Sequence, residues 1–188
     1  MIKCETGEWG YIKKKKWKQL LLTLLMAFIG IGIFLTGYYF KGKSNQSIFT
    51  VLAVLMVLPG AKFFVSFVVL APYHTPKREQ YDELIKILRE NGKLFSDMVI
   101  TSSEKVMNLD FILVSNGQVL GVVGREKQDL AYIQSYLTKG VRNWSSNEIV
   151  KIYSSYDELV KAVKKISEKE VNLQEEEKVI AYLTSLIV

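Results

Sequence analysis

"LDFILVSNGQVLGVVGREK" runs from Leu109 to Lys127, and its reading decides the fold of the second half of the chain. Two apolar, β-branched runs flank Asn116-Gly117. Asn-Gly accommodates the positive φ angles of a two-residue turn whose twist matches that of the strands it joins. The stretch therefore predicts a hairpin with strands over 109–115 and 118–125. Counting outward from the turn pairs Ser115 with Gln118, Val114 with Val119 and, further out, Asp110 with Val123. Side chains alternate along a strand, so this register predicts Asp110, Val123 and Arg125 on one face.

The neighbouring segments build a domain around this hairpin. Upstream, Tyr81, Leu84, Ile85 and Leu88 recur at helical spacing, and Asn91-Gly92 marks the end of that helix. "SDMVITS" (Ser96–Ser102) reads as a strand. Downstream, Gln128–Val141 carries Leu130, Ile133, Tyr136 and Leu137 on one helical face, and Asn147–Ser155 reads as a further strand. Ser155 with Glu158 three residues on is a capping box for the next helix. A last helix follows Asn172, with Glu175, Glu176 and Glu177 in the turn where the helix dipole favours acids. Its apolar face, Leu173, Ile180, Leu183, Leu186 and Ile187, predicts packing on the domain or on a second copy. The expected order after Pro76 is α-β-β-β-α-β-α-α, over 112 residues, enough for one small core.

The first third of the chain is of another kind. Gln19–Phe40 holds 22 residues without a charge, and Ser47–Ala71 is a second apolar run whose one charge is Lys62. Each is long enough to cross ~30 Å of hydrocarbon at ~1.5 Å per residue. The first run is too long for a signal-peptide core, and no A-x-A-like site follows it. The sequence predicts a transmembrane helical hairpin (19–40 and 47–71) after a basic segment (1–18). A short linker (72–76) then leads to an α/β domain (77–188). Lys13, Lys14, Lys15, Lys16 and Lys18 precede the first span, whereas the loop between the spans has only Lys41 and Lys43. Lysine-rich flanks stay inside, so a multi-pass cell-membrane protein with cytoplasmic N- and C-termini is expected. The same lysines are expected to face anionic headgroups. Pro59 and Gly60 predict a kink in the second span. Lys62 sits near that kink without an acidic residue in either span. Intramembrane charges mark candidate sites, so snorkelling, a partner contact and an ion path are all open readings for it.

Charge and side-chain inventory exclude several functions. The net charge is +6, but residues 73–188 hold 16 Lys+Arg against 17 Asp+Glu. The basic excess belongs to the membrane end, and nucleic-acid binding by the domain is not expected. Cys4 is the only cysteine, which rules out an intrachain disulfide, and His74 is the only histidine. No Gly-rich phosphate loop or nucleophile–histidine pairing is recognisable.

"LDFILVSNGQVLGVVGR", supported by the later "NEIVKIYSSYDEL", resembles the active-site segment of restriction-endonuclease-like (PD-(D/E)xK) nucleases. It is most similar to the nuclease-related domain of bacterial membrane and DNA-processing proteins. The resemblance covers roughly residues 77–168 and implies a restriction-endonuclease-like fold. It also implies chemistry in which two carboxylates hold Mg²⁺ and a lysine assists the attacking water. Here the Asp position is filled by Asp110, the Glu position by Val123 and the Lys position by Arg125. Valine offers no oxygen to a hard cation, and arginine keeps its proton. A bulge at Gly124 would be needed to bring Glu126 round, with Lys127 beside it.

Three readings follow. The first is a membrane-anchored, non-catalytic interaction or scaffold protein with a degenerate nuclease-like domain, no cofactor or metal, and a protein partner or a second copy. The second is a membrane-tethered Mg²⁺-dependent nuclease using Asp110, Glu126 and Lys127. The third is a small subunit of a membrane transport complex, working through Lys62.

Overall fold

A computed structural model describes residues 7–40, 48–88, 92–125, 128–145, 149–166 and 173–187. The chain divides into two compact units, Lys13–Pro72 and a second formed by Met1–Ile12 with Tyr73–Val188.

The first unit is helical. α1 spans Tyr11–Phe40, α2 Ile48–Leu55 and α3 Val57–Leu70. The stretches Tyr11–Tyr39 and Thr50–Leu70, of 29 and 21 residues, are long and apolar enough to cross a membrane. Their large side chains are uncovered within this chain, as at Phe28 and Leu58. α1 starts eight residues before the apolar run expected from the sequence, and Lys13–Lys18 occupy its first turns. Lys16 Nζ donates to the Ala71 carbonyl at 2.8 Å, near the end of α3. The second span breaks at Met56, one turn ahead of Pro59. Proline has no N–H for the Leu55 carbonyl four residues back, so the ladder opens there. Gly30 and Gly60 allow close helix approach: a Cβ at Gly30 would lie 3.6 Å from the Ala53 oxygen, and one at Gly60 3.6 Å from Met26.

The second unit is a layered α/β domain in the order the sequence predicts. α4 is Arg78–Leu88, β1 Lys93–Thr101, β2 Val106–Ser115, β3 Gln118–Val123, α5 Leu130–Arg142, β4 Ile149–Tyr153, α6 Tyr156–Val163 and α7 Leu173–Leu186. The strands form one mixed sheet, ordered β1-β2-β3-β4. β1, β2 and β3 are an antiparallel meander, and β4 runs parallel to β3 after a crossover through α5. Asn116 and Gly117, at φ 50° and 70°, make the tight turn.

Both faces of the sheet are buried. On one, Met98, Ile100, Leu109, Ile112 and Val123 pack against Ile133 and Leu137 of α5 and Val179 and Leu183 of α7. On the other, Phe111, Leu113, Leu120 and Val122 pack against Leu84 of α4 and Leu159 and Val163 of α6. Asp129 and Ser155 cap α5 and α6, accepting from the N–H groups of Tyr132 and Glu158. The Asn172 cap expected for α7 lies outside the described residues. α7 packs on its own domain through Val179 and Leu183. The outer edge of β1 is covered at two points: Ser96 N–H donates to the Gly7 carbonyl at 2.7 Å, and Ile100 bridges Ile187. Covering a strand edge removes a template for unwanted pairing.

Candidate functional site

The strand alternation slips by one residue in two adjacent strands, and an aspartate sits at each slip. In β1, Phe95 and Met98 point into the same core although three positions apart. In β2, Leu109 and Ile112 do the same. The extra residues are Asp97 and Asp110. Ser96 pairs with Phe111 and Met98 with Leu109, which sets Asp97 opposite Asp110. On the other side of β2, Leu109 pairs with Val123 and Phe111 with Val122, so Asp110 is the bulged residue. This corrects the register expected from the sequence. Asp110 does not pair with Val123, and the irregularity falls on Asp110 rather than on Gly124. A slip in β2 leaves Leu109 and Val123 together in the apolar core, whereas a regular strand would turn one of them to the acid's face.

Asp97 is 1% exposed and holds φ at 59°, a conformation Asp tolerates better than most residues. Its partner is the N-terminal segment. The Gly10 N–H donates to Asp97 Oδ2 at 2.6 Å, and the N–H groups of Tyr11 and Ile12 support the same carboxylate. Those amides open α1 and have no acceptor within the helix, so Asp97 caps α1 from a strand 87 residues away. Segment 7–12 is held by further contacts. Trp9 Nε1 donates to the Pro76 carbonyl at 3.0 Å, the Arg78 guanidinium lies 5.2 Å from the Trp9 ring, and Ile12 is buried. Gly7 and Gly10 take φ near 88°, as a tight bend around Trp9 requires. The Thr75 hydroxyl lies beside the Asp97 carboxylate and favours its ionised form. Neither that hydroxyl nor Asp97 Oδ1 completes a well-aligned hydrogen bond among the described residues.

Burial raises the Asp97 pKa to about 6, against the opposing pull of the amides. Burial, and then the Asp97 charge, raise Asp110 to about 6 as well. Two carboxylates at one site resist ionising together, so they take up protons as a pair.

The surroundings of Asp110 are close. A Cβ at Gly124 would overlap Asn108 Oδ1 and Asp110 Oδ1. The Gln128 amide acts as a short extra strand: its Nε2 donates to the Asn108 carbonyl at 2.7 Å and its Oε1 accepts from the Asn108 N–H at 2.8 Å. β3 therefore ends at Val123. The Arg125 guanidinium lies 4.9 Å from the Tyr73 ring centre. Glu126 and Lys127 lie outside the described residues. Pro59 and Gly60 shape the break in the second span, and Lys62 is exposed on α3.

Among the described residues, the side chains around Asp110 do not make up a Mg²⁺ donor set. Val123, 7% exposed, is part of the core and brings no oxygen. The second carboxylate is Asp97, already engaged by backbone N–H donors that a cation would repel. Among the described residues no group of three or more His, Cys, Asp or Glu side chains gathers. Sequence reasoning had not singled out Asp97 or Gly10. The signals were there: Asp97 is the one charge within "LFSDMVI", and glycines bracket Glu8-Trp9. Comparisons with family models, with curated proteins and with solved structures find no match to this chain.

Proposed function

We propose that this chain is a multi-pass membrane protein whose α/β domain binds another protein, or a second copy of itself, without catalysing a reaction. The observation that carries this reading is the use made of the carboxylates. Asp110 faces Asp97, Asp97 caps segment 7–12, and Val123 is core. A carboxylate spent on holding backbone amides is not open to substrate. The restriction-endonuclease-like reading of the domain is supported by the α-β-β-β-α-β-α-α order and by the mixed meander with a parallel fourth strand. Orientation with both termini in the cytoplasm is supported by the lysines at the start of α1, which also suit anionic headgroups. Membrane residence is supported by the two uncovered apolar helices.

The test uses the whole protein, purified in detergent, incubated with single- and double-stranded DNA and RNA in Mg²⁺ or Mn²⁺. An Asp110→Ala variant runs beside it. No cleavage is expected from either. Cleavage lost on Asp110→Ala would establish the tethered nuclease and overturn the reading. A companion pull-down with the intact protein from membranes, crosslinked before solubilisation, asks whether a partner or a second copy is captured.

A further inference from the structure

We propose that segment 7–12 is a proton-operated clasp, closed on the sheet while Asp97 and Asp110 share a proton and loosened when both carboxylates are ionised. The geometry carries the argument. The bulged Asp110 and the left-handed Asp97 lie opposite each other on adjacent strands, and Asp97 is almost wholly buried with one oxygen lacking a hydrogen bond. The other oxygen holds the amides of the clasp. With one proton between them, the pair carries a single negative charge opposite three backbone N–H groups, and the donors and the charge match. With no proton, the Asp97 charge is buried beside that of the half-buried Asp110. Opening the clasp hydrates them.

The remaining groups around the pair do not replace that proton. The clasp contributes the N–H groups of Gly10, Tyr11 and Ile12, and its own ionisable side chains are Glu8 and Tyr11. The linker contributes Thr75, next to Tyr73 and His74. The turn after β3 contributes Gly124, followed by Arg125 on the Tyr73 ring. The charge acting on Asp110 is that of Asp97. The sign follows from the raised pKa values. Both carboxylates are harder to ionise in the closed state. Closure is therefore strongest below about pH 4, weakens as the pH rises towards 6, and stays weak above it.

The experiment is hydrogen exchange on the full-length protein in detergent between pH 4.5 and 7.5. Protection factors for the amides of residues 10–12 are corrected for intrinsic exchange, with the β2 and β3 amides as an internal measure of the fold. Protection at 10–12 is expected to fall by roughly tenfold or more between pH 4.5 and 7.5, the amount one pKa unit of linkage supplies. Asp110→Asn removes the facing charge, and the profile should become shallower, leaving only the dependence of buried Asp97. A wild-type profile that is flat with pH, while β2 and β3 stay protected, would overturn the proposal. So would an Asp110→Asn protein with an intact sheet and the wild-type dependence. If that variant loses the sheet, the wild-type profile decides alone.

Discussion

At the level of single residues, Asp97 does two jobs that a substitution can separate. It accepts from the first amides of α1, and it holds a left-handed backbone conformation inside a strand. Asparagine keeps an acceptor oxygen and tolerates that conformation, while removing a buried charge. Asp97→Asn should therefore match wild type in thermal stability at pH 4.5 and exceed it at pH 7.5. Asp97→Ala loses the acceptor and strains the backbone, and should cost about 1–3 kcal/mol at either pH by denaturant titration. Gly140 offers a second test. A Cβ there would overlap the Tyr182 hydroxyl, where α5 and α7 meet. Gly140→Ala should destabilise by about 1–3 kcal/mol, the usual scale of overpacking. Adding Tyr182→Phe should recover part of that loss, and a double-mutant cycle would read the coupling.

Among the elements, α7 and the broken second span are the most informative. α7 buries Val179 and Leu183 completely and touches β1 through Ile187. At ~1.5–3 kcal/mol for each fully buried side chain of this size, its removal costs several kcal/mol. A chain ending at residue 172 should unfold at lower denaturant and bind a hydrophobic dye. A fragment as stable as the full chain would mean that the helix contributes nothing to the core. In the second span, the ladder opens at Met56 because Pro59 cannot donate to Leu55. Pro59→Ala should restore that hydrogen bond and join α2 to α3. Spin labels flanking Met56 would report a narrower, longer distance distribution.

For the whole molecule, the distribution of charge matters more than its total. The net charge of +6 hides a domain with 16 basic and 17 acidic residues and an N-terminal, apolar-helix end that carries the excess. Lysines at the start of α1 predict a cytoplasmic C-terminus. A reporter active only outside the cytoplasm, fused after Val188, should give no signal. Strong activity there would reverse the proposed orientation.

Much of this architecture was legible from residues alone. Two charge-poor runs determined the long apolar helices, because helix length and lipid thickness are matched by simple geometry. Asn116-Gly117 determined the hairpin, since few other residue pairs accept two positive φ angles. Spaced apolar residues and caps determined the order of the remaining elements. These are local effects, read within a few residues of where they act. The carboxylate site was not local. A bulge in β2 is decided by which cross-strand partners fill the core, and placing Leu109 beside Val123 leaves Asp110 as the surplus residue. The matching slip at Asp97 depends on amides contributed from the far end of the chain, 87 positions away. Only the folded sheet brings those two aspartates face to face, because neither strand alone has a reason to skip a residue there.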